Sequence, residues 1–127
     1  MGKRAGKLAR CANYSGNRQA SRYSYQLQNF YIASGPILNR NLPKDMPAAD
    51  FGKYIEEVNA WIFTTDAWIK NNLGDAAEAR FQDIGGGFSF NWDRAINPAH
   101  NNAINILTKY RNNLATLIET GAWDQKQ

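Results

Sequence analysis

From Pro47 to Gly74 the apolar residues recur in a pattern that only a long helix accommodates. Phe51, Ile55, Val58, Ile62, Thr65, Ile69 and Asn72 follow one another at alternating spacings of four and three. Tyr54, Trp61 and Trp68 run beside them at a spacing of seven. A period of about 3.6 residues puts such positions on one side of a helix. Pro47 suits the first turn, where its missing N–H is no loss, and Gly74 stands where a C-terminal glycine belongs. The reading is a helix of about 25 residues, apolar over more than one face. A second long helix opens at Asn97-Pro98, with Asn as N-cap and Pro in the first turn. Ala103, Leu107, Tyr110, Leu114 and Leu117 repeat at four and three, with Ile106 and Ile118 beside them, and Gly121 ends it. Between the two, Asp75 can cap a short helix through about Gln82. Gly85-Gly86-Gly87 stops it. Phe88, Phe90 and Trp92 alternate with polar residues, but one extended piece cannot make a sheet, so this stretch is expected to be a loop that packs its aromatics onto the body. The fold class is all-α.

Length sets the scale. With 127 residues, 43% apolar and 20% charged, and a mean hydropathy of −0.59, the chain can build one small core. A domain of this size buries only about two-thirds of its unfolded surface. There is one cysteine, Cys11, and one histidine, His100, so neither an intrachain disulfide nor a structural zinc site is expected. The longest apolar runs, Phe30 to Ala33 and Ala60 to Phe63, are far shorter than the ~20 residues that span a bilayer. No apolar stretch follows the basic start, so no secretory signal is expected.

Charge is strongly segregated. Residues 1–44 hold Lys3, Arg4, Lys7, Arg10, Arg18, Arg22, Arg40 and Lys44 and no acid, a charge of +8. Residues 45–127 hold seven Lys/Arg against eleven Asp/Glu, a charge of −4. An ordinary solvated surface mixes both signs. A one-sign arm on a mildly acidic body points to an anionic partner: nucleic acid, a lipid surface or the acidic body itself. An Arg-rich, Ser-containing, acid-free start also describes a mitochondrial transit segment.

Residues 3–12 read as a helix, Ser15-Gly16 as a bend, and Asn17 to about Ala33 as a second helix. On one helical wheel Lys3, Arg4, Lys7, Arg10, Arg18 and Arg22 fall within an arc of about 120°, opposite Ala5, Leu8, Ala12, Tyr23, Leu27 and Phe30. Ser34 to Ala48, with Gly35-Pro36, Pro43 and Pro47, reads as a connector and hinge. The expected division is therefore 1–46, a basic helix-bend-helix arm with its connector, and 47–127, a small helical bundle. Lys3, Arg4, Lys7, Arg10, Arg18, Arg22 and Arg40 are the candidate phosphate ligands. Asn13 and Asn17 can add amide donors to phosphate oxygens. Six such phosphate contacts would give a salt slope of about −5. Nothing suggests base reading. The aromatics of residues 14–31 can stack on bases, but helical spacing beside an apolar stripe favours packing. The two-faced helix exceeds what a three-helix body can cover, so Phe30, Tyr31, Tyr54, Trp61, Trp68 and Trp123 are the candidate subunit-interface residues. Cys11 lies among Lys and Arg, but no base, metal set or phosphate loop accompanies it. No catalytic residue, metal or cofactor is expected.

As a whole pattern, the start Met1-Gly2-Lys3-Arg4-Ala5-Gly6-Lys7, followed by Ser21-Arg22-Tyr23-Ser24-Tyr25-Gln26 and a helical body, resembles the major capsid proteins of filamentous archaeal viruses with double-stranded DNA genomes. The resemblance implies a capsid protein of a helical virion. In that family a basic helical arm clamps A-form DNA without regard to sequence, and the body packs against itself or a paralogous capsid subunit. It implies that Lys3, Arg4, Lys7, Arg10, Arg18 and Arg22 face phosphates. Three other readings stay open: a non-filamentous chromatin-type or phage nucleic-acid-binding protein, a peripheral membrane protein using the basic amphipathic arm, and an adaptor for an acidic protein partner.

Overall fold

A computed structural model describes residues 22–86 and 89–121 of the chain. The described residues form four helices and no strand: α1 over 22–38, α2 Ala48–Leu73, α3 Asp75–Gln82 and α4 Pro98–Thr120. The expected helix over 3–12, the bend at Ser15-Gly16 and the tail with Trp123 lie outside the described residues.

α2 is the spine. Pro47 precedes it in extended conformation, Asp50 sits in its first turn and Lys70 in its last, each where the helix dipole favours it. Its buried line is Tyr54, Val58, Trp61, Thr65, Ile69 and Leu73. This line runs between the two stripes read from the sequence. Phe51, Ile55, Ile62 and Trp68 flank it half-buried, and Asn72 is exposed, its amide donating to the Trp68 carbonyl at 2.9 Å. Asn72 is therefore no part of the core. Gly74 separates α2 from α3 in a single residue, at φ 97° and ψ 179°. Asp75 is the first helical residue of α3 rather than its cap, because Gly74 takes the cap position.

α1 corrects the sequence reading most. The helix continues past Ser34-Gly35-Pro36 to residue 38, where a connector was expected. Pro36 forfeits one hydrogen bond to the Ile32 carbonyl. Both Ile32 and Pro36 face outward, so water can serve that carbonyl. Gly35, without a Cβ, relieves the clash proline imposes on its predecessor. The extra turn buries Ile37, and the Asn39 N–H closes it on the Gly35 carbonyl at 2.9 Å.

The connector then folds α1 back along α2. The Trp61 indole N–H donates to the Phe30 carbonyl at 2.8 Å. Trp68 takes the edges of Tyr23 and Phe30, with ring centroids 5.9 and 5.8 Å away. Leu27, Ile37 and Leu42 join the same core as Val58, Phe81, Leu107, Leu114 and Leu117. The expected boundary at 46/47 is thus not a break in packing: residues 22–42 supply the cover that one face of α2 needs.

α4 begins as read. Asn97 accepts from the His100 N–H at 2.7 Å, Pro98 occupies the first turn, and Gly121 ends the helix in the left-handed region at φ 57°. Its buried line adds His100, Ile104 and Asn105 to the expected Ala103, Leu107, Leu114 and Leu117, while Tyr110 is half-buried.

Candidate nucleic-acid interface

Of the nine candidate phosphate-binding residues, Lys3, Arg4, Lys7, Arg10, Asn13, Asn17 and Arg18 lie outside the described residues. Arg22, at the first described position of α1, is exposed. Arg40 is half-buried and engaged. Its guanidinium grips Glu57 in a two-point fork at 2.7 and 2.9 Å and lies over the Tyr54 ring at 5.9 Å. The hydrogen bond to Glu57 raises the Arg40 pKa and holds the Glu57 carboxyl below the usual range. Side-chain exposures of 38% and 45% keep this pair in the class worth about 0–1 kcal/mol. A phosphate would therefore have to compete with a preformed carboxylate for Arg40.

The candidate interface residues separate into two groups. Tyr54 is 2% exposed and Trp61 7%. Both are consumed by the chain's own core, which corrects their assignment to a subunit contact. Burial pushes the Tyr54 phenol up, against the opposing pull of Arg94 and Arg40. Phe30, Tyr31 and Trp68 keep a partial outer surface. Tyr31 is already roofed by Arg111, whose guanidinium sits 4.1 Å over the ring. The Arg111 Nε–H donates to Ser34 Oγ at 2.6 Å, and that hydroxyl donates onward to the Tyr31 carbonyl at 2.6 Å. This cation, unassigned by the sequence reading, is a staple between α4 and α1.

What the surface does offer is different. On α1, Arg22, Tyr25, Asn29, Ile32 and Pro36 are exposed at spacings of three and four, forming one outward stripe. Tyr25 is 68% exposed and Ile32 67%. On α2, Phe63 is 76% exposed. The periodicity that finds buried faces also marks these positions, but it cannot say which of several apolar faces stays open.

Fifteen asparagines find part of their explanation here. Asn101 and Asn105, one turn apart on α4, both donate to the Phe90 carbonyl at 2.9 Å. Asn105 Oδ1 accepts from the Phe90 N–H and the Trp92 indole, and Asn101 Oδ1 accepts from the Trp92 N–H. Side-chain amides thus pair with the extended segment 90–92 as a neighbouring strand would. Asn113 likewise caps the end of α3 through the carbonyls of Phe81 and Asp83, both at 3.0 Å. Trp92 packs inward as expected, whereas Phe90 remains 56% exposed and Phe88 lies outside the described residues.

Among the described residues no group of His, Cys, Asp and Glu is placed to hold a metal ion, and no helix is long and apolar enough to cross a membrane. The fold and surface define a small all-α bundle with an acid-free basic segment ahead of it. No family model matches the chain, and comparison with curated proteins and with solved structures found no match either.

Proposed function

We propose that the protein packages nucleic acid as a structural subunit: a capsid protein that wraps double-stranded DNA into a helical filament without reading its sequence. The observation that carries this reading is the charge segregation, eight cations and no acid in residues 1–44 against an acidic remainder. Two structural features support it. Among the described residues, Leu27, Ile37 and Leu42 of the acid-free segment pack into one core with the helical body, while Arg22 stays exposed at its edge. Tyr25, Ile32 and Phe63 stand on outer faces, where neighbouring subunits can bury them.

The mechanism rests on many weak contacts. One arm binding phosphates non-specifically has a Kd of about 10⁻⁴ to 10⁻⁶ M at physiological salt. Subunits joined to one another on one duplex multiply that affinity by avidity. Arg22 continues the phosphate-facing row, and Arg40 joins it only by exchanging Glu57 for phosphate.

The test changes Lys3, Arg4, Lys7 and Arg10 together to Gln and measures duplex affinity across salt. The unaltered chain should show a slope of about −5, and the variant a slope shallower by about 3.5. Equal slopes would refute the arm as the binding element. Electron micrographs of protein mixed with long duplex DNA should show filaments of even diameter. Small discrete complexes would favour a chromatin-type binder instead.

A further inference from the structure

The side of α2 opposite its buried line is open, and its residues form an ordered row. Gly52, Glu56, Asn59, Phe63, Asp66 and Lys70 recur at four, three, four, three and four. That is the heptad spacing of a helix-pairing seam. Phe63, 76% exposed, stands near its middle. Glu56 and Lys70 lie seven residues to either side of it, both exposed and neither in a salt bridge within the described residues. Ala60 and Ala67 flank the ring. A Cβ added at Gly52 would meet nothing within 4 Å. Next to the ring lies a cavity of about 320 Å³ between α2, α3 and α4, bounded by Asn59, Ile62, Phe63, Asp66, Gln82 and Tyr110. A protruding ring beside a recess on one surface is what a self-complementary contact requires.

We propose that two copies of the chain pair through this face, their α2 helices antiparallel about Phe63. A two-fold axis at Phe63 sets each residue opposite the one equally far on the other side. Glu56 then faces the partner's Lys70, and the same pair forms again at the other end. Asn59 meets the partner's Ala67, Asp66 meets the partner's Ala60, and Gly52 approaches the partner's Gly74. The two Phe63 rings meet at the axis and spread toward the adjoining recesses. A parallel pairing would instead stack Glu56 on Glu56 and Lys70 on Lys70, so the charges choose the antiparallel arrangement. The row carries both signs, which also makes it a poor seat for the chain's own acid-free segment.

This inference rests on the self-association within the proposed function and gives it a surface. The test uses the full-length chain, with sedimentation across a range of concentrations. Glu56→Lys and Lys70→Glu each place like charges at both ends of the seam, and each should weaken the dimer about tenfold. The double variant, Glu56→Lys with Lys70→Glu, should restore it. In a Cys11→Ser background, Phe63→Cys should oxidise to a covalent dimer, because only residues on the axis come within disulfide reach. Thr64→Cys, turned about 100° away, should not. A dimer indifferent to all four changes would overturn this geometry and leave self-association through another face standing. A chain that stays monomeric at every concentration would overturn both. A monomer in which the thiol of Phe63→Cys, in the Cys11→Ser background, is alkylated faster when Lys3, Arg4, Lys7 and Arg10 are changed to Gln would assign the face to the chain's own basic segment, and would equally overturn the pairing.

Discussion

Asn105 shows how much one side chain can decide where the described residues form helices and no strand. Its amide serves three groups of a segment that has no regular structure: the Phe90 N–H, the Phe90 carbonyl and the Trp92 indole. It is 6% exposed, so water cannot readily replace it. Truncation to Ala leaves the Phe90 N–H and the Trp92 indole without this partner, while Asn101 still serves the Phe90 carbonyl; each group left unpaired costs about 1–3 kcal/mol when buried. We expect Asn105→Ala to lower stability by about 2–4 kcal/mol in urea denaturation. The emission of a chain in which Trp92 is the reporter should shift to the red. The exposed Asn112, one residue type on the same helix, is the control: its Ala variant should stay within about 0.5 kcal/mol. A loss at Asn105 no larger than that at Asn112 would mean that the loop is held by Trp92 packing alone.

At the level of the element, Gly74 carries the sharpest constraint. Its N–H reaches the Ile69 and Lys70 carbonyls, both at 3.2 Å, and its own carbonyl accepts from the Glu78 N–H at 3.1 Å. One residue therefore closes α2 and opens α3, at φ 97° and ψ 179°, a region that side chains avoid. Gly74→Ala should cost about 1–3 kcal/mol, read from the urea midpoint. An unchanged midpoint would show that the turn relaxes to another conformation. Gly74 and Asn97-Pro98 were legible in the sequence because cap chemistry is local. The end of α1 was not. Gly35-Pro36 signals a stop by every local rule, and the burial of Ile37 and Leu42 against α2 outweighs it. The centre of the α2 buried line was misplaced for a related reason. Its two apolar stripes are both real, and their common midline is set by the helices that pack on it. The candidate interface was the least legible. Arg40, Tyr54 and Trp61 have the right chemistry for outside contacts, yet each found a partner within the chain: Glu57, His100 and Phe30.

For the whole molecule, acid should loosen the bundle in a window set by its only histidine. His100 is fully buried against the edges of Tyr54 and Phe51, at ring distances of 5.4 and 6.4 Å. Its Nδ1 accepts from the Ile96 N–H at 3.0 Å, so the imidazole is neutral with its proton on Nε2. Nε2 is buried and finds no hydrogen-bond partner among the described residues, so charging the ring gains no acceptor there. Burial, and then the nearby Arg94 charge, hold the His100 pKa below its ordinary value. In the unfolded chain the ring titrates near about 6.5. Above that pH both states keep it neutral and the full stability is present. As pH falls below it, the unfolded chain takes up the proton more readily, and stability drops by at most about 1.4 kcal/mol per pH unit. Glu57, lowered by Arg40, adds to the loss only in the carboxylate range. Glu78, raised chiefly by its hydrogen bond with Asp66, acts oppositely in that same range. Urea unfolding at pH 7.5 and 5.5 isolates the histidine window. The chain should be less stable at 5.5. A His100→Asn variant, which keeps an acceptor for the Ile96 N–H, should be less stable at both values but nearly flat between them. If the unaltered chain is equally stable at both, His100 is protonated inside the fold, and the junction between residues 92–97 and α4 must open to admit the charge.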